Sequence, residues 1–500
     1  MVLDRVAVIA AACLLSCAAT ATAGFRSPPP EHLQEHIAAL READTVAGDE
    51  ARCAAHPDLP GNTWREGSAR ARCTLLREPK FSLQQIGGML DTPDGAAGLE
   101  REFAALLDAH YGAPAQREQI HRAFSVFDES KEARAVSDRW LSLAPDSAFA
   151  LEASATHHAS VGWDARGEAL IANVSASDKA LMADAFMTAV PLHARALELD
   201  PQLSPACVAL LAIGRQMSNE LESRIAPVCM RIDPDSYHVA WGLIRSAQAR
   251  WGGTPDGMAY AVAYAAARVD RNPILGALLG EAAGDAAMYP NGRFVAPRHV
   301  VAQLAEVAKM APSGTLLAYA GEGFSLTGDK WQALVHVSQG LRFWPLNAEW
   351  RNRRARVLVD LGDLAWAERD LQVATAIDDS NGWLHHTKAL FERAAGRGTA
   401  AMRPHLERAL QDPGSRLAAL SELCAGYLLE GELEEGHDCT ETLVAEYPAL
   451  GEHWYMREWV LTRTGGDGLA EARRMLRERG DRSDDRQAAR MLELEAMPTD

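Results

Sequence analysis

The sequence predicts an all-α protein, a right-handed α-solenoid of stacked helix-turn-helix repeats. Three features of the chain lead there. Gly328, Gly362, Gly396, Gly431 and Gly465 recur at intervals of 34, 34, 35 and 34 residues, and a fixed period of this length marks repeated two-helix units. After about Gly98, apolar residues return every three or four positions, the spacing of one buried helix face. Runs of alternating β-branched residues, which a sheet requires, are missing. A single helical hairpin cannot bury its own apolar face, so such units must stack on one another.

Residues 1–23 read as an export signal. Arg5 precedes an apolar core of Val6 to Ala12 with Leu14-Leu15, and Ala21-Thr22-Ala23 fits the small-x-small cleavage rule, although Asp4 departs from the positive charge expected there. Leu14-Leu15-Ser16-Cys17 is also similar to a bacterial lipobox, in which Cys17 would be the lipid-bearing first residue. Soluble export takes precedence, because Leu15 is uncommon at its position and a better cleavage site follows. The protein is therefore expected outside the cytoplasm, periplasmic or secreted, with a membrane attachment only through Cys17. No later stretch is long and apolar enough to span a bilayer.

Beyond the signal, six cysteines fall into three local pairs: Cys53 with Cys73, Cys207 with Cys229, and Cys424 with Cys439. An even count in an exported chain is the pattern of disulfides, each closing a loop worth about 3 kcal/mol in the chain-entropy model. The first pair is read as a bridge. The other four are either bridged or buried as small hydrophobes within repeats.

Residues 24–95 begin with Arg26-Ser27-Pro28-Pro29-Pro30, an extended tether. They continue as an irregular segment broken by Pro57, Pro60, Gly61, Pro79, Gly87 and Gly88. Residues 96–290 form a helical domain with degenerate repeats. Leu99, Phe103, Leu106, Leu107 and Tyr111 make one face of its first helix, and Ser175, Ser177 or Asp178 caps a later one. Helices ending at Asp200-Pro201 and Asp233-Pro234 stop 33 residues apart, so the period already operates here. Tyr289-Pro290-Asn291-Gly292 is a turn-rich boundary. Residues 296–480 are the regular array and 481–500 a C-terminal tail.

In the best unit Leu317, Ala320-Gly321 and Phe324 occupy the first helix, Gly328-Asp329 the turn, and Ala333, Val337, Gly340 and Pro345 the second. This pattern resembles the tetratricopeptide repeat, a family of two-helix units that mostly mediate protein contacts. Ala355, Leu358, Gly362-Asp363, Ala367 and Leu371 repeat it, as do Leu420, Leu423-Cys424, Tyr427 and Gly431. Two units depart from it: Glu392 stands in place of an aromatic, and Arg457-Glu458 in place of a Leu-Gly pair. A narrower resemblance spans about residues 98–267. Trp140-Leu141 with Pro145-Asp146-Ser147, Trp163-Asp164-Ala165-Arg166-Gly167, and Arg250-Trp251-Gly252-Gly253-Thr254 are similar to the markers of a bacterial domain-of-unknown-function family with tetratricopeptide-like helices. That resemblance implies helices and brings no activity.

A net charge of −18 excludes a large phosphate-neutralising face, so nucleic acid is not an expected partner. His32-Leu33-Gln34-Glu35-His36 matches the H-x-x-E-H pattern of inverted zinc peptidases, but in a polar stretch the match is read as chance. His56-Pro57-Asp58 matches the J-domain tripeptide without the basic helix that domain needs. His157-His158 and His385-His386 are adjacent pairs that a helix splays by about 100°, so neither chelates a metal alone. No catalytic group, metal or cofactor is assigned. In tetratricopeptide arrays the first helix of each unit lines a concave groove, which points to Asn352, Arg356, Trp383, His386, Arg393, Tyr455, Trp459 and Arg463 as partner-contacting residues. Arg, Trp and Tyr dominate binding hot spots, and the Arg and His among them suit an acidic or carboxylate-terminated peptide. For Trp383, Tyr455 and Trp459, packing against a neighbouring unit is the competing role.

The expected function is an exported scaffold for protein–protein interaction. The rival is a cell-envelope hydrolase that uses the repeats as a substrate clamp. The intact mass of the mature protein is expected to begin at Gly24. A lipid-modified N-terminus at Cys17 would show the other processing.

Overall fold

A computed structural model describes residues 24–167 and 171–496; the expected signal and Cys17 lie outside them. Among the described residues every regular element is a helix. The chain forms two compact units. One spans residues 30–354, and the other joins 24–29 to 355–496, the division falling within the helix Ala348–Leu361.

In the 30–354 unit, local signals set the helix ends. Ser82 and Gln85 form a capping box at the start of Leu83–Leu90. Ser130, Ser147, Ser175, Ser218 and Ser236 each accept a backbone N–H from the first turn of the helix that follows. Ala176–Leu199 and Asn219–Ile232 both stop before Asp-Pro, because proline disfavours a helical conformation in the residue before it. Leu99, Phe103, Leu106 and Leu107 are buried on Gly95–Gly112, where Phe103 packs edge-on against Trp140 at 5.0 Å.

The stretch up to residue 95 is more ordered than its prolines and glycines imply. It contains the helices Glu31–Ala43, Asp49–Ala55, Ser68–Cys73 and Leu83–Leu90, and it is bound to helices hundreds of residues away. The Trp64 indole donates to the Ala308 carbonyl at 2.9 Å, and Thr63 N–H to Lys309 at 2.7 Å. Arg342 donates to the Cys53 carbonyl at 2.8 Å and to Asp58 at 2.7 Å. Arg354, fully buried, pairs with Asp44 at 2.7 Å.

The 355–496 unit alternates two layers. Gly382–Ala394, Arg416–Glu430, Gly451–Thr464 and Asp485–Ala496 touch in succession, and Leu364–Ile377, Gly398–Ala409, Leu433–Glu446 and Leu469–Arg479 return between them. The five periodic glycines, one in the first unit and four here, have φ of 92°, 91°, 74°, 77° and 74°. L side chains rarely adopt such values, and each glycine ends a helix so that the chain can reverse. The Arg457-Glu458 departure is absorbed by charge: buried Glu458 accepts from Arg490 at 2.5 Å and Arg473 at 3.3 Å, while Arg457 donates to the His437 carbonyl at 2.7 Å.

Disulfides join Cys53 to Cys73, Cys207 to Cys229 and Cys424 to Cys439. The last two tie the two helices of one hairpin together. Among the described residues no helix is long and apolar enough to cross a membrane.

Small residues set the helix spacing within hairpins. A Cβ on Gly321 would lie 2.5 Å from the Val337 side chain and 2.7 Å from its backbone nitrogen. Gly321→Val is therefore expected to cost about 3 kcal/mol by overpacking. Gly88→Ala, whose Cβ meets nothing within 4 Å, is expected to stabilise by about 0.5–1 kcal/mol. Urea denaturation of both variants checks the pair.

Candidate functional site

The expected partner-contacting residues divide between the two units. Asn352 belongs to the 30–354 unit, where it is buried with its side-chain oxygen unpartnered. The other seven lie in the 355–496 unit, and four of them gather. His386, on Gly382–Ala394, is buried, and its Nε2 has no hydrogen-bond partner. Burial first, then the Arg356 and Arg393 guanidiniums nearby, lower its pKa to about 4, so the ring is neutral at pH 7. Trp383, one turn earlier, meets it edge-on at 5.6 Å and is 46% exposed.

The two arginines are not free. Arg356 contacts Asp360 one turn on at 3.3 Å, and Arg393 pairs with Glu422 on the next helix of the same layer. Both pairs are partly exposed and therefore weak and exchangeable. The result is a cluster in which an imidazole with an unpartnered Nε2 has two guanidiniums and a half-exposed indole for neighbours.

Tyr455, Trp459 and Arg463 form a separate group. Tyr455 and Trp459 are half-buried against the core of Trp454, Leu461 and Met491. Arg463 is exposed and stacks on the Trp459 ring with its guanidinium carbon 3.6 Å from the centroid. Packing between units accounts for Tyr455; Trp459 both packs and carries a cation.

Sequence reasoning passed over a buried polar network in the 30–354 unit. His110 Nε2 lies 2.7 Å from Asp233, its Nδ1 accepts the Glu118 N–H at 2.9 Å, and Ser204 donates to the same Asp233 oxygen at 2.8 Å. Glu118 accepts from Tyr237 N–H at 2.7 Å, Ser236 at 3.1 Å and Asn272 at 3.3 Å. Among the described residues Glu118 is the non-glycine with positive φ, 71°. The network therefore holds a strained turn. His110, Glu118 and His121 have ligand-like spacing, but both ring nitrogens of His110 are already engaged, so a metal would have to break the bonds that fix the turn. The only local sign in the sequence was the Glu118-x-x-His121 spacing.

The other histidine motifs take structural parts. His32 and Glu35 are exposed and His36 turns inward, so the H-x-x-E-H residues do not converge. His56 is buried against Asp44 at 3.1 Å, and Asp58 accepts from Arg342. His157 Nδ1 contacts the Asp128 carbonyl at 2.6 Å, and His385 Nε2 the Asp379 carbonyl at 2.9 Å.

Paired helices with a left-handed turn at a fixed period make this an all-α array of tetratricopeptide-like hairpins. No protein-family model matches the chain, and no curated protein matches it in sequence. Among solved structures it is similar to the APC/C hetero-tetramer Cut9-Hcn1, at 12% identity over 85% of this chain and 93% of that one, with a TM-score of 0.37. It is also similar to the TPR domain of P58(IPK), at 12% identity over 80% and 97% of the two chains, with a TM-score of 0.25.

Burial lowers His36, His336 and His386 to about 4 and holds His121 well below its usual range. The unfolded chain protonates these rings near pH 6.5 and the folded chain does not, so their stabilisation is present above 6.5 and lost as pH falls toward 4. Glu118 and Glu281, pushed up to about 7 by burial, act oppositely and lose their contribution as pH rises through 7. With His238, which burial brings down to about 3, five such rings outweigh two carboxyls, so the melting temperature is expected to fall between pH 6.5 and 5. A flat or rising profile would show that the rings are not held neutral.

Proposed function

We propose that the protein is a binding scaffold whose 355–496 unit holds an acidic segment, or the terminal carboxylate, of another protein. The carrying observation is the cluster at His386: a buried, unpartnered imidazole nitrogen, two arginines in replaceable surface pairs, and an indole left 46% exposed. A carboxylate entering there would draw both guanidiniums from Asp360 and Glu422 and form charge-assisted hydrogen bonds. Trp383 would supply the apolar contact that makes such a site selective. Three buried disulfides fit action in an oxidising compartment outside the cytoplasm. The resemblance of residues 98–267 to a bacterial family of unknown function fits the same reading and adds no chemistry. The hydrolase reading gains no support from the outward-facing His32 and Glu35.

The test is a fluorescence titration with acidic peptides carrying a free or an amidated C-terminus. Arg356→Ala and Arg393→Ala are each expected to weaken binding about tenfold, in line with loss of a hot-spot residue, and Trp383→Ala to weaken it at least as much. Retention of every partner by the triple variant would remove the groove from the account.

A further inference from the structure

Two sequence motifs that the proposed scaffold does not use come together in the 30–354 unit. Arg166, from the Trp163-to-Gly167 motif, and Arg215 both lie over the indole of Trp251, from the Arg-Trp-Gly-Gly-Thr motif, at 5.6 and 5.1 Å from its centroid. Arg245 lies over Trp241 at 5.7 Å. The arginines occupy the last turns of Ala148–Arg166, Ser204–Met217 and Tyr237–Ala247, first helices of successive hairpins that pack side by side.

The loop that presents Trp251 is firmly built. Gly252 has a φ of 83°, and a Cβ on Gly253 would lie 2.1 Å from the Ala247 carbonyl oxygen. Trp251 and Gly253 both donate to the Gln248 carbonyl, at 2.9 and 3.2 Å. Thr254 then caps the next helix.

The donors of the cluster are left open. Nε of Arg215, Nε of Arg245 and Nε1 of Trp251 are buried donors without a partner. Among the described residues no carboxylate lies within ion-pair distance of Arg215, Arg245 or Arg250. Glu222 acts on Arg215 and Glu281 on Arg245, and Glu222 Oε1 is itself buried without a hydrogen-bond partner. Glu281 is spent on Ser313, which donates to it at 2.8 Å, and burial pushes its pKa up to about 7, so it is an incomplete counter-charge. Burial and the neighbouring arginines bring both Arg215 and Arg245 down to about 10. The field at a helix C-terminus favours cations, but by less than the cost of taking a guanidinium out of water. Charges taken out of water are normally paired, and these half-buried guanidiniums have no ion pair among the described residues, Glu222 acting on Arg215 only from beyond ion-pair distance, which leaves their donors open to an entering anion.

We infer that Arg215, Arg245 and Trp251, with Arg250 at the rim, form a binding site for an oxyanion, a phosphate or carboxylate group borne by a small ligand. Guanidinium N–H groups and one indole N–H supply the donors, and the two tryptophan rings under the arginines hold the guanidiniums in place.

The test titrates the full-length protein with inorganic phosphate and, separately, with acetate, in chloride buffer at constant ionic strength. Tryptophan fluorescence and melting temperature are read together. A saturable fluorescence change with a rise in melting temperature is expected. A response to phosphate alone assigns a phosphate site; an equal or larger response to acetate assigns a carboxylate site.

Arg215→Gln and Arg245→Gln are each expected to weaken binding at least tenfold. Trp251→Phe, which keeps a ring and loses the N–H, should weaken it a few-fold. Each Gln variant should also melt no lower than the wild type in chloride alone, because it removes a half-buried charge that has no ion pair; a purely structural cation–π role would lower it. Should either fail to fold, Arg250→Gln, at an exposed position, must still weaken binding. No saturable response to either anion, or an affinity unchanged in these variants, overturns the site.

Discussion

No hairpin in this protein can bury its own apolar face, and every other feature of the structure answers to that constraint. The helices of a pair approach until only small residues fit between them: a Cβ on Gly340 would lie 2.8 Å from the Ala318 side chain, and one on Gly321 would strike Val337. The remaining face is closed by the next pair. Trp454, Leu461 and Leu476 are covered by Met491 and Leu494 of the last described helix, and Ala389, Met402 and Leu406 share a core with Leu420 and Leu423 of the following hairpin. Stability is then a sum of neighbour terms rather than the property of one central core.

Charge inside the array falls into two kinds. Asp44 with Arg354 and Glu458 with Arg490 are paired inside the stack, and they fix one geometry. Breaking such a pair leaves a lone buried charge, which is costly. Arg215 and Arg245 are the contrasting kind, with guanidinium nitrogens that are buried and lack partners, and the neutral ring of His386 shares that lack at Nε2. The first kind maintains the fold, and the second marks where something else belongs.

Periodicity and turn chemistry made most of the fold legible in the sequence. Gly328, Gly362, Gly396, Gly431 and Gly465 all take the positive φ that their spacing implies, and Ser175 caps the helix its position announces. The stretch from Glu31 to Leu90 was not legible. Its prolines suggest irregularity, whereas its order comes from Ala308, Lys309, Arg342 and Arg354, whose contacts leave no local pattern. The same reason hid Arg215: it looks like an ordinary basic residue in a last helical turn until the stack brings Trp251 beneath it, whereas Arg245 meets Trp241 one turn back on its own helix. At the candidate groove, helix position was enough to place Arg356, Trp383, His386 and Arg393 together. It could not show that Tyr455 packs into the core or that His386 is buried.

Hydrogen exchange on the intact chain and on a chain ending at 484 tests neighbour-by-neighbour stabilisation most directly. Without the helix Asp485–Ala496, protection is expected to fall steeply in Leu469–Arg479 and Gly451–Thr464, less in Arg416–Glu430, and not at all in Gly382–Ala394. Uniform loss across all of these helices, or no loss in any, would contradict the account.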